Sequence, residues 1–353
     1  MLLHGIFPPI TTPFYSDGRV YFRKLEANVE RYSKTPVTGL VVLGSTGEAI
    51  LLSDDERREV LRTAREATAP EKVLVAGTGI ESAAETLRLT EYAASLGYDV
   101  AMVRTPHYYK QQMKPENMLA FYRTVADRSP LPVIIYNFPQ ATGYDISAEV
   151  VIALAEHPNL IGIKESGGDI NKVKAMVAGT RHVQRTVDVT EVFEAVTGRM
   201  RSAPLPENVV PANALAGGAG SGPIAVQAPA ATPALKTRTK DAGFQVMVGS
   251  AHLLQSMLNV GAVGAILAFA CCAPTACFEI YTAWKDNDVD LAREKQERIA
   301  PAALRVVGEL GVPGLKHALD FNGYYGGPPR LPLLSPTAEV KAEIERLLEY
   351  IRN

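Results

Sequence analysis

The strongest constraint on the fold is a rhythm that repeats eight times along the chain. Short runs rich in β-branched residues alternate with longer segments that begin at Asp or Ser and carry charges on one face, as in "SDDERREVLRTAREATA". Eight near-equal units of this kind predict a parallel (β/α)8 barrel, whereas an open doubly wound sheet is the weaker alternative. The predicted strands lie at residues 5–12, 39–44, 72–79, 100–106, 132–139, 160–166, 244–250 and 261–269.

The barrel is expected to occupy residues 1–274, followed by a C-terminal helical extension over residues 275–353. An insertion at about residues 181–242 interrupts the rhythm between the sixth and seventh strands. It is rich in Ala, Pro and Gly, a composition typical of flexible or extended chain. Because it follows the helix after the sixth strand, we expect it on the face opposite the catalytic rim, nearer a neighbouring subunit than the substrate.

Composition and charge favour a small molecule as the partner. With 36 basic and 38 acidic side chains the net charge is −2, which offers no basic face for nucleic acid and no polybasic segment for a membrane surface. Apolar runs stay below the roughly 18 residues that span a bilayer, and the N-terminus lacks signal-peptide features, so a cytoplasmic protein is expected. The histidines show no metal-binding spacing, and buried thiols are expected of the cysteines, Cys271, Cys272 and Cys277.

A lysine at the end of the sixth predicted strand is the first candidate for chemistry. In "LIGIKES", alternation along the strand places Lys164 on the opposite side from Ile161 and Ile163. If the isoleucines face the helices, the lysine points into the barrel at the C-terminal rim, where barrel active sites lie. Burial disfavours the charged form of an amine, which leaves it able to attack a carbonyl and form a Schiff base. The alternative is a lysine that reaches water or pairs with Glu165.

Neighbouring strand ends carry groups that would serve such a lysine. Tyr136 shares the inward parity of Ile134 on the fifth strand and can move a proton to or from a substrate oxygen, although it can equally be a core aromatic. The second strand ends in "GSTGE", where hydroxyls and glycine-freed backbone N–H groups can cradle a carboxylate or simply form a turn. The fourth ends in "TPHYYK", where Tyr108 and Tyr109 can supply a second phenol or cover a subunit contact.

Taken in order, these strand-end motifs resemble one family. "PPITTPF", "GSTGE", "TPHYYK", "IIYNFP" and "GIKESGGD" are similar to the class I, Schiff-base aldolases of the dihydrodipicolinate synthase and N-acetylneuraminate lyase family. The resemblance covers nearly the whole chain except the insertion. "KESGGD", "VGSA", "GVPGLK" and "GYYGGPPRLPL" resemble the 4-hydroxy-2-oxoglutarate aldolase branch.

The resemblance implies roles for particular residues. Lys164 would form an imine with a 2-oxo acid, usually pyruvate, so that neither a cofactor nor a metal is expected. Tyr136 would be the acid and base at the reacting bond, and Ser45 would link it to Tyr108, which in this family reaches across from a neighbouring subunit. The family's usual assembly, a homotetramer built as a dimer of dimers, makes a dimer or tetramer the expectation. The substrate would be held by Ser45, Thr46, Gly47 and Ser166.

One position departs from the family pattern. Dihydrodipicolinate synthases carry an arginine shortly after the strand-five tyrosine to bind the distal carboxylate of the aldehyde, and Ala141 stands at that place here. A methyl group cannot make that contact. The resemblance therefore favours cleavage of 4-hydroxy-2-oxoglutarate to pyruvate and glyoxylate, or the reverse aldol addition. Dihydrodipicolinate synthase, a 2-keto-3-deoxy sugar acid aldolase or dehydratase, and a barrel that binds a 2-oxo acid without catalysis are the alternatives.

Overall fold

Parallel strands close into a barrel in the computed structural model, which describes residues 1–190, 195–201 and 236–351. Around the ring the barrel strands follow chain order, apart from two strands of the insertion that form a separate pair. The strands are β1 Gly5–Phe7, β2 Gly39–Val42, β3 Val73–Gly77, β4 Val100–Arg104, β5 Val133–Asn137, β6 Leu160–Glu165, β7 Arg185–Thr190, β8 Thr237–Ala242, β9 Gln245–Val248 and β10 Gly264–Ile266.

Backbone hydrogen bonds between β1 and β2 complete the ring. The Thr38 N–H donates to Ile6 O at 2.9 Å, and just beyond the strand the Ile10 N–H donates to Val41 O at 2.9 Å. β1 pairs on its other side with β10, and β6 pairs directly with β9 across the insertion. The predicted (β/α)8 fold is confirmed, because each of the eight predicted runs contains one barrel strand.

Helices surround the barrel and continue beyond its last strand. The capping signals read from the sequence are present in α2, where the Ser53 side chain accepts the Glu56 N–H and the Glu56 carboxylate accepts the Ser53 N–H. Among the described helices, none combines the length and the hydrophobicity that a membrane span requires. The helices are α1 Phe22–Ser33, α2 Asp54–Ala67, α3 Ala83–Ser95, α4 Pro115–Arg128, α5 Pro139–Thr142, α6 Ala148–Ala155, α7 Ile170–Gly179, α8 Gly198–Arg201, α9 Leu254–Asn259, α10 Pro274–Lys285, α11 Val289–Ala303, α12 Gly311–Phe321 and α13 Ala338–Leu348.

Alternation along the strands separates two apolar layers. Met102 and Ile134 belong to a cluster inside the barrel, whereas Ile163 packs toward the helices, as predicted. Ile161 also joins the inner cluster, so the prediction that it faces the helices is wrong. The cause is a β-bulge, because Val133 pairs with Leu160 and the next pairing skips to Gly162. The bulge lies before Gly162 and leaves the inward direction of Lys164 unchanged.

The described flanks of the insertion form an antiparallel hairpin of β7 and β8 at the N-terminal end of the barrel. Val189 and Ala242 pack against the inner cluster there. The Arg199 guanidinium forms a buried ion pair with Asp99 at 3.0 Å, which ties α8 to the barrel. This part of the insertion therefore covers the end of the barrel opposite the catalytic rim. The Ala/Pro/Gly-rich stretch of the insertion, predicted to be flexible or extended, lies mostly in residues 202–235, outside the described residues.

The cysteines are buried thiols, as predicted. Cys271, Cys272 and Cys277 form no disulfide and are fully enclosed. Burial raises the pKa of each thiol. They therefore remain protonated at neutral pH and belong to the core.

Candidate active site

Three side chains stand in a row at the C-terminal rim of the barrel. The strand register places Arg104 of β4 opposite Tyr136 of β5, and Tyr136 opposite Lys164 of β6. Residues paired in this way face the same side of a parallel sheet. Met102 and Ile134, two positions earlier on their strands, point into the barrel, so all three rim side chains point into its mouth.

The amine of Lys164 is buried without a carboxylate partner. The residue is 5% exposed, and its Nζ lies 4.1 Å from the centroid of the Tyr136 ring. Glu165 faces the other side of β6, where it forms an ion pair with Lys172 at 3.0 Å. The alternative in which Lys164 pairs with Glu165 is therefore wrong, and no other described carboxylate forms an ion pair with Lys164. An enclosed amine without a carboxylate partner is a candidate nucleophile.

Ser45 connects the tyrosine to the loop after β2. Its Oγ lies 3.2 Å from the Tyr136 hydroxyl, which gives the phenol a partner for proton exchange. Ser45 is exposed, while Thr46 and Gly47 behind it are buried in a single 3₁₀ turn. The Thr12 hydroxyl donates to Gly47 O at 2.6 Å, so the segment after β1 holds this turn in place.

A buried ion pair anchors the far end of the same loop. Glu48 adopts a left-handed conformation with φ 53°, and its Oε1 lies 2.6 Å from Lys316 Nζ of α12. The Lys316 ammonium also donates to Thr12 O at 2.9 Å and to Pro328 O at 3.0 Å. Burial lowers the pKa of Lys316, and the Glu48 carboxylate opposes that shift. The C-terminal helices thus hold the loop after β2 in place through Lys316.

A cavity of about 270 Å³ opens at the lysine and is called here the lysine cavity. Two of the predicted site residues, Gly47 and Tyr108, are not in its wall. It also contains residues after β9 that were not predicted as site residues, although the "VGSA" motif follows a strand and signals a rim position. Burial lowers the pKa of one of these, His252. The predicted site residues in the wall are Ser45, Thr46, Tyr136, Lys164 and Ser166.

The C-terminal helices cover the lysine cavity. Val307 and Leu315 belong to its wall. Val307 lies in a π-helical turn, Leu304–Glu309, that joins α11 to α12, and Leu315 lies in α12. No local sequence pattern placed these residues at the rim. Their position depends on how the helical extension packs on the barrel, which only the tertiary structure shows.

A second cavity, of about 160 Å³, lies beside the first and is called here the arginine cavity. Its wall includes Arg57 of α2, Arg104 and Ala141. Tyr136 and Ser45 contribute to the walls of both cavities and so stand between them. The two arginines were not predicted as site residues. The inward parity of Arg104 at a strand end was a signal that could have identified it.

Tyr108 is not brought to the other site residues within one chain. It is 74% exposed, its ring meets Tyr109 edge-on, and it lines neither cavity. Its backbone N–H donates to Glu81 Oε2 at 3.1 Å. A catalytic role for Tyr108 stays a prediction that requires a second copy of the chain.

The fold and the site together define a class of protein. A barrel with a buried lysine beside a tyrosine at its C-terminal rim has the arrangement of a class I aldolase, which forms an imine with its substrate. No group of three or more potential metal ligands occurs among the described residues. The chain belongs to the dihydrodipicolinate synthetase family, whose model matches residues 2–185 and 230–351. The protein is a pyruvate-dependent class I aldolase of this family.

Two similar proteins share one name. A 4-hydroxy-tetrahydrodipicolinate synthase from Methanothrix thermoacetophila is 28% identical over 347 residues, which cover 98% of this chain and 96% of the relative. The protein of the same name from Xanthomonas campestris pv. campestris is 41% identical over 178 residues, which cover 50% of this chain and 58% of the relative. These names support the dihydrodipicolinate synthase alternative rather than the 4-hydroxy-2-oxoglutarate aldolase branch.

A solved relative was determined with pyruvate. YagE, a prophage protein of the dihydrodipicolinic acid synthase family from E. coli K12, has a TM-score of 0.76 and 26% sequence identity. The comparison covers 99% of each chain. That structure shows YagE in complex with pyruvate.

Replacing Tyr136 by phenylalanine is expected to lower kcat for carbon–carbon bond cleavage by roughly 10²- to 10⁴-fold, the usual contribution of a positioned acid and base. Among the described residues the Tyr136 hydroxyl has one hydrogen-bond partner, the Ser45 hydroxyl, so we expect little change in the melting temperature. Steady-state kinetics and a thermal melt would measure the two effects. Tyr144→Phe is the matched control, because Tyr144 lies outside both cavity walls. A kcat for Tyr136→Phe within about threefold of the wild-type value would contradict the role expected of Tyr136.

Proposed function

We propose that the protein cleaves 4-hydroxy-2-oxoglutarate to pyruvate and glyoxylate through an imine at Lys164, and that it catalyses the reverse addition. The observation that supports this proposal most directly is the buried Lys164 amine, without a counter-charge, beside a phenol that shares a hydrogen bond with Ser45. The pyruvate complex of YagE supports the choice of 2-oxo acid.

The reaction follows from these groups. The Lys164 amine adds to the C2 carbonyl, and loss of water gives a protonated imine. Tyr136, whose proton leaves with that water, then takes the proton of the 4-hydroxyl while the C3–C4 bond breaks and its electron pair moves into the imine. Glyoxylate leaves, and the remaining enamine is protonated at C3. Water then hydrolyses the imine, which releases pyruvate and restores the amine.

The loop after β2 is the proposed holder of the carboxylate next to the 2-oxo group. Ser45 and Thr46 line the lysine cavity and offer hydroxyl and backbone N–H donors there. Ser166, on the opposite wall, is proposed to contribute a further hydroxyl. Tyr108 of a second subunit is proposed to complete the proton path through Ser45, because its exposed ring is available for contact with another copy.

Condensation of pyruvate with aspartate semialdehyde is the second candidate. The names of the relatives favour it. Against it stands Ala141, which puts a methyl group in the wall of the arginine cavity at the position where that activity uses an arginine.

Two measurements test the proposal. Borohydride reduction of the protein in pyruvate, followed by peptide mass spectrometry, should give a pyruvate-sized adduct on the peptide that contains Lys164. Cleavage of 4-hydroxy-2-oxoglutarate and condensation with aspartate semialdehyde should then be assayed side by side. We expect kcat/KM to be higher for cleavage by at least about tenfold. The reverse ranking would make the synthase the function, and a missing adduct on folded protein would remove the imine mechanism altogether.

A further inference from the structure

We infer that Arg57 and Arg104 bind the distal carboxylate of the substrate, which makes the enzyme selective for short aldehydes that carry a carboxylate. This inference rests on the proposed function. It assigns the recognition of the second substrate to the arginine cavity, next to the lysine cavity in which the imine forms.

The order of groups along the rim matches the order of groups on such a substrate. Lys164, Tyr136 and Arg104 lie on three adjacent strands in register. Neighbouring strands are about 4.8 Å apart, so groups two or three bonds apart on one small molecule can reach adjacent side chains. In 4-hydroxy-2-oxoglutarate the imine carbon, the hydroxyl and the distal carboxylate follow in that sequence. Arg104 therefore stands where the carboxylate of glyoxylate would lie once Tyr136 holds the aldehyde oxygen.

Arg57 adds a second positive charge without an ion-pair partner. It is half-buried, and its Nε donates to Ala49 O at 3.1 Å. No described carboxylate forms an ion pair with Arg57. The nearby Asp54 carboxylate pairs with Arg58 instead, at 3.1 Å. Burial lowers the pKa of Arg57, the Asp54 carboxylate opposes that shift, and the positive charge of Arg104 adds to it. An anion in the cavity would relieve both effects.

Glu81 neutralises only part of this charge. Its carboxylate pairs with Arg104 at 3.1 Å and also lies 2.7 Å from His107 Nδ1. It accepts the backbone N–H groups of His107 and Tyr108 as well, at 2.9 and 3.1 Å. Burial alone would raise the pKa of Glu81, but these donors and Arg104 lower it overall. One carboxylate shared among these groups leaves the arginine cavity with a net positive charge.

The departure at Ala141 fits the same picture. A methyl group there leaves space in the cavity wall, and two guanidinium groups from α2 and β4 face that cavity instead. Guanidinium groups bind carboxylates with two parallel hydrogen bonds. Because Arg104 neighbours Tyr136, the arrangement suits a carboxylate attached directly to the aldehyde carbon better than one separated from it by further bonds.

Imine trapping with matched 2-oxo acids tests the inference without requiring turnover. Borohydride reduction would be performed with pyruvate, 2-oxoglutarate and 2-oxopentanoate, the last two having chains of equal length with and without the distal carboxylate. The concentration that gives half-maximal trapping would be read by intact mass. For the wild type we expect a value roughly 10- to 100-fold lower with 2-oxoglutarate than with 2-oxopentanoate, the range for hydrogen bonds to a charged group.

Arg57→Gln and Arg104→Gln are each expected to remove most of that preference and to leave pyruvate trapping unchanged. Arg58→Gln is the matched control, because Arg58 neighbours Arg57 on α2 but pairs with Asp54 and lies outside the cavity wall. Equal trapping of the two longer acids by the wild type would overturn the inference. Arginine variants that keep the preference for 2-oxoglutarate over 2-oxopentanoate would also overturn it. The same holds for variants whose trapping of pyruvate falls by the same factor as their trapping of 2-oxoglutarate. No pyruvate imine in the wild type would overturn the proposed function, and this inference with it.

Discussion

Lys164→Ala is expected to form no pyruvate adduct under borohydride and to lose more than about 10³-fold in kcat for carbon–carbon bond cleavage. The reason is that the described wall of the lysine cavity contains no lysine besides Lys164, so no neighbouring amine there can replace it. Intact-mass and peptide mass spectrometry measure the adduct, and a pyruvate-release assay measures kcat.

The same substitution should not harm the fold. Lys164 forms no ion pair with the described residues, so its removal leaves no buried carboxylate without a partner. A thermal melt should therefore give a midpoint at or above that of the wild type. Lys174→Ala, an exposed position on α7, is the control for loss of a lysine. A pyruvate adduct that persists in Lys164→Ala at another lysine would show that the nucleophile has been assigned wrongly.

Lys316→Met is expected to lower the free energy of unfolding by about 3–5 kcal/mol, the cost of leaving one member of a buried ion pair alone. Both side chains of the Lys316–Glu48 pair are 1% exposed, so water cannot replace the missing ammonium. Among the described residues Glu48 would keep the Arg330 N–H as its donor, at 2.8 Å from Oε2. Urea unfolding monitored by circular dichroism measures the change in stability.

Two further variants separate the ion pair from simple loss of a lysine. Lys295→Met breaks the partly exposed pair with Glu279 at 3.3 Å, and about 1 kcal/mol or less is expected. Adding Glu48→Gln to Lys316→Met removes the unpaired charge and should recover part of the lost stability. The double variant should still bind pyruvate less well, because the Ser45–Gly47 turn would lose its anchor. A loss for Lys316→Met no larger than that for Lys295→Met would contradict this account.

Much of the barrel and part of the site could be predicted because the signals are local. The alternation of β-branched runs and capped helices specifies strands, helices and their number. The inward parity of Lys164 and Tyr136 depends only on counting along one strand. Their meeting at one rim follows from the parallel arrangement, since the carboxyl ends of all strands then lie at the same end of the barrel.

The errors and omissions share a different cause. Ile161 was misplaced because a β-bulge is defined by the register with the neighbouring strand, which one strand's sequence does not show. Arg57 was missed because it lies on a helix and reaches the arginine cavity only through the packing of α2. Lys316 and Glu48 are 268 positions apart in the chain, and no local sequence pattern around either residue predicts their contact.

The barrel, the candidate nucleophile Lys164 and the neighbouring Tyr136 could be predicted from the chain, because periodicity and strand-end position are properties of short segments. The packed fold is needed to show which helices close the lysine cavity, which ion pair holds the Ser45–Gly47 turn and which arginines lie beside Tyr136. These are contacts between distant segments, and their geometry depends on strand register and helix packing summed over the whole fold.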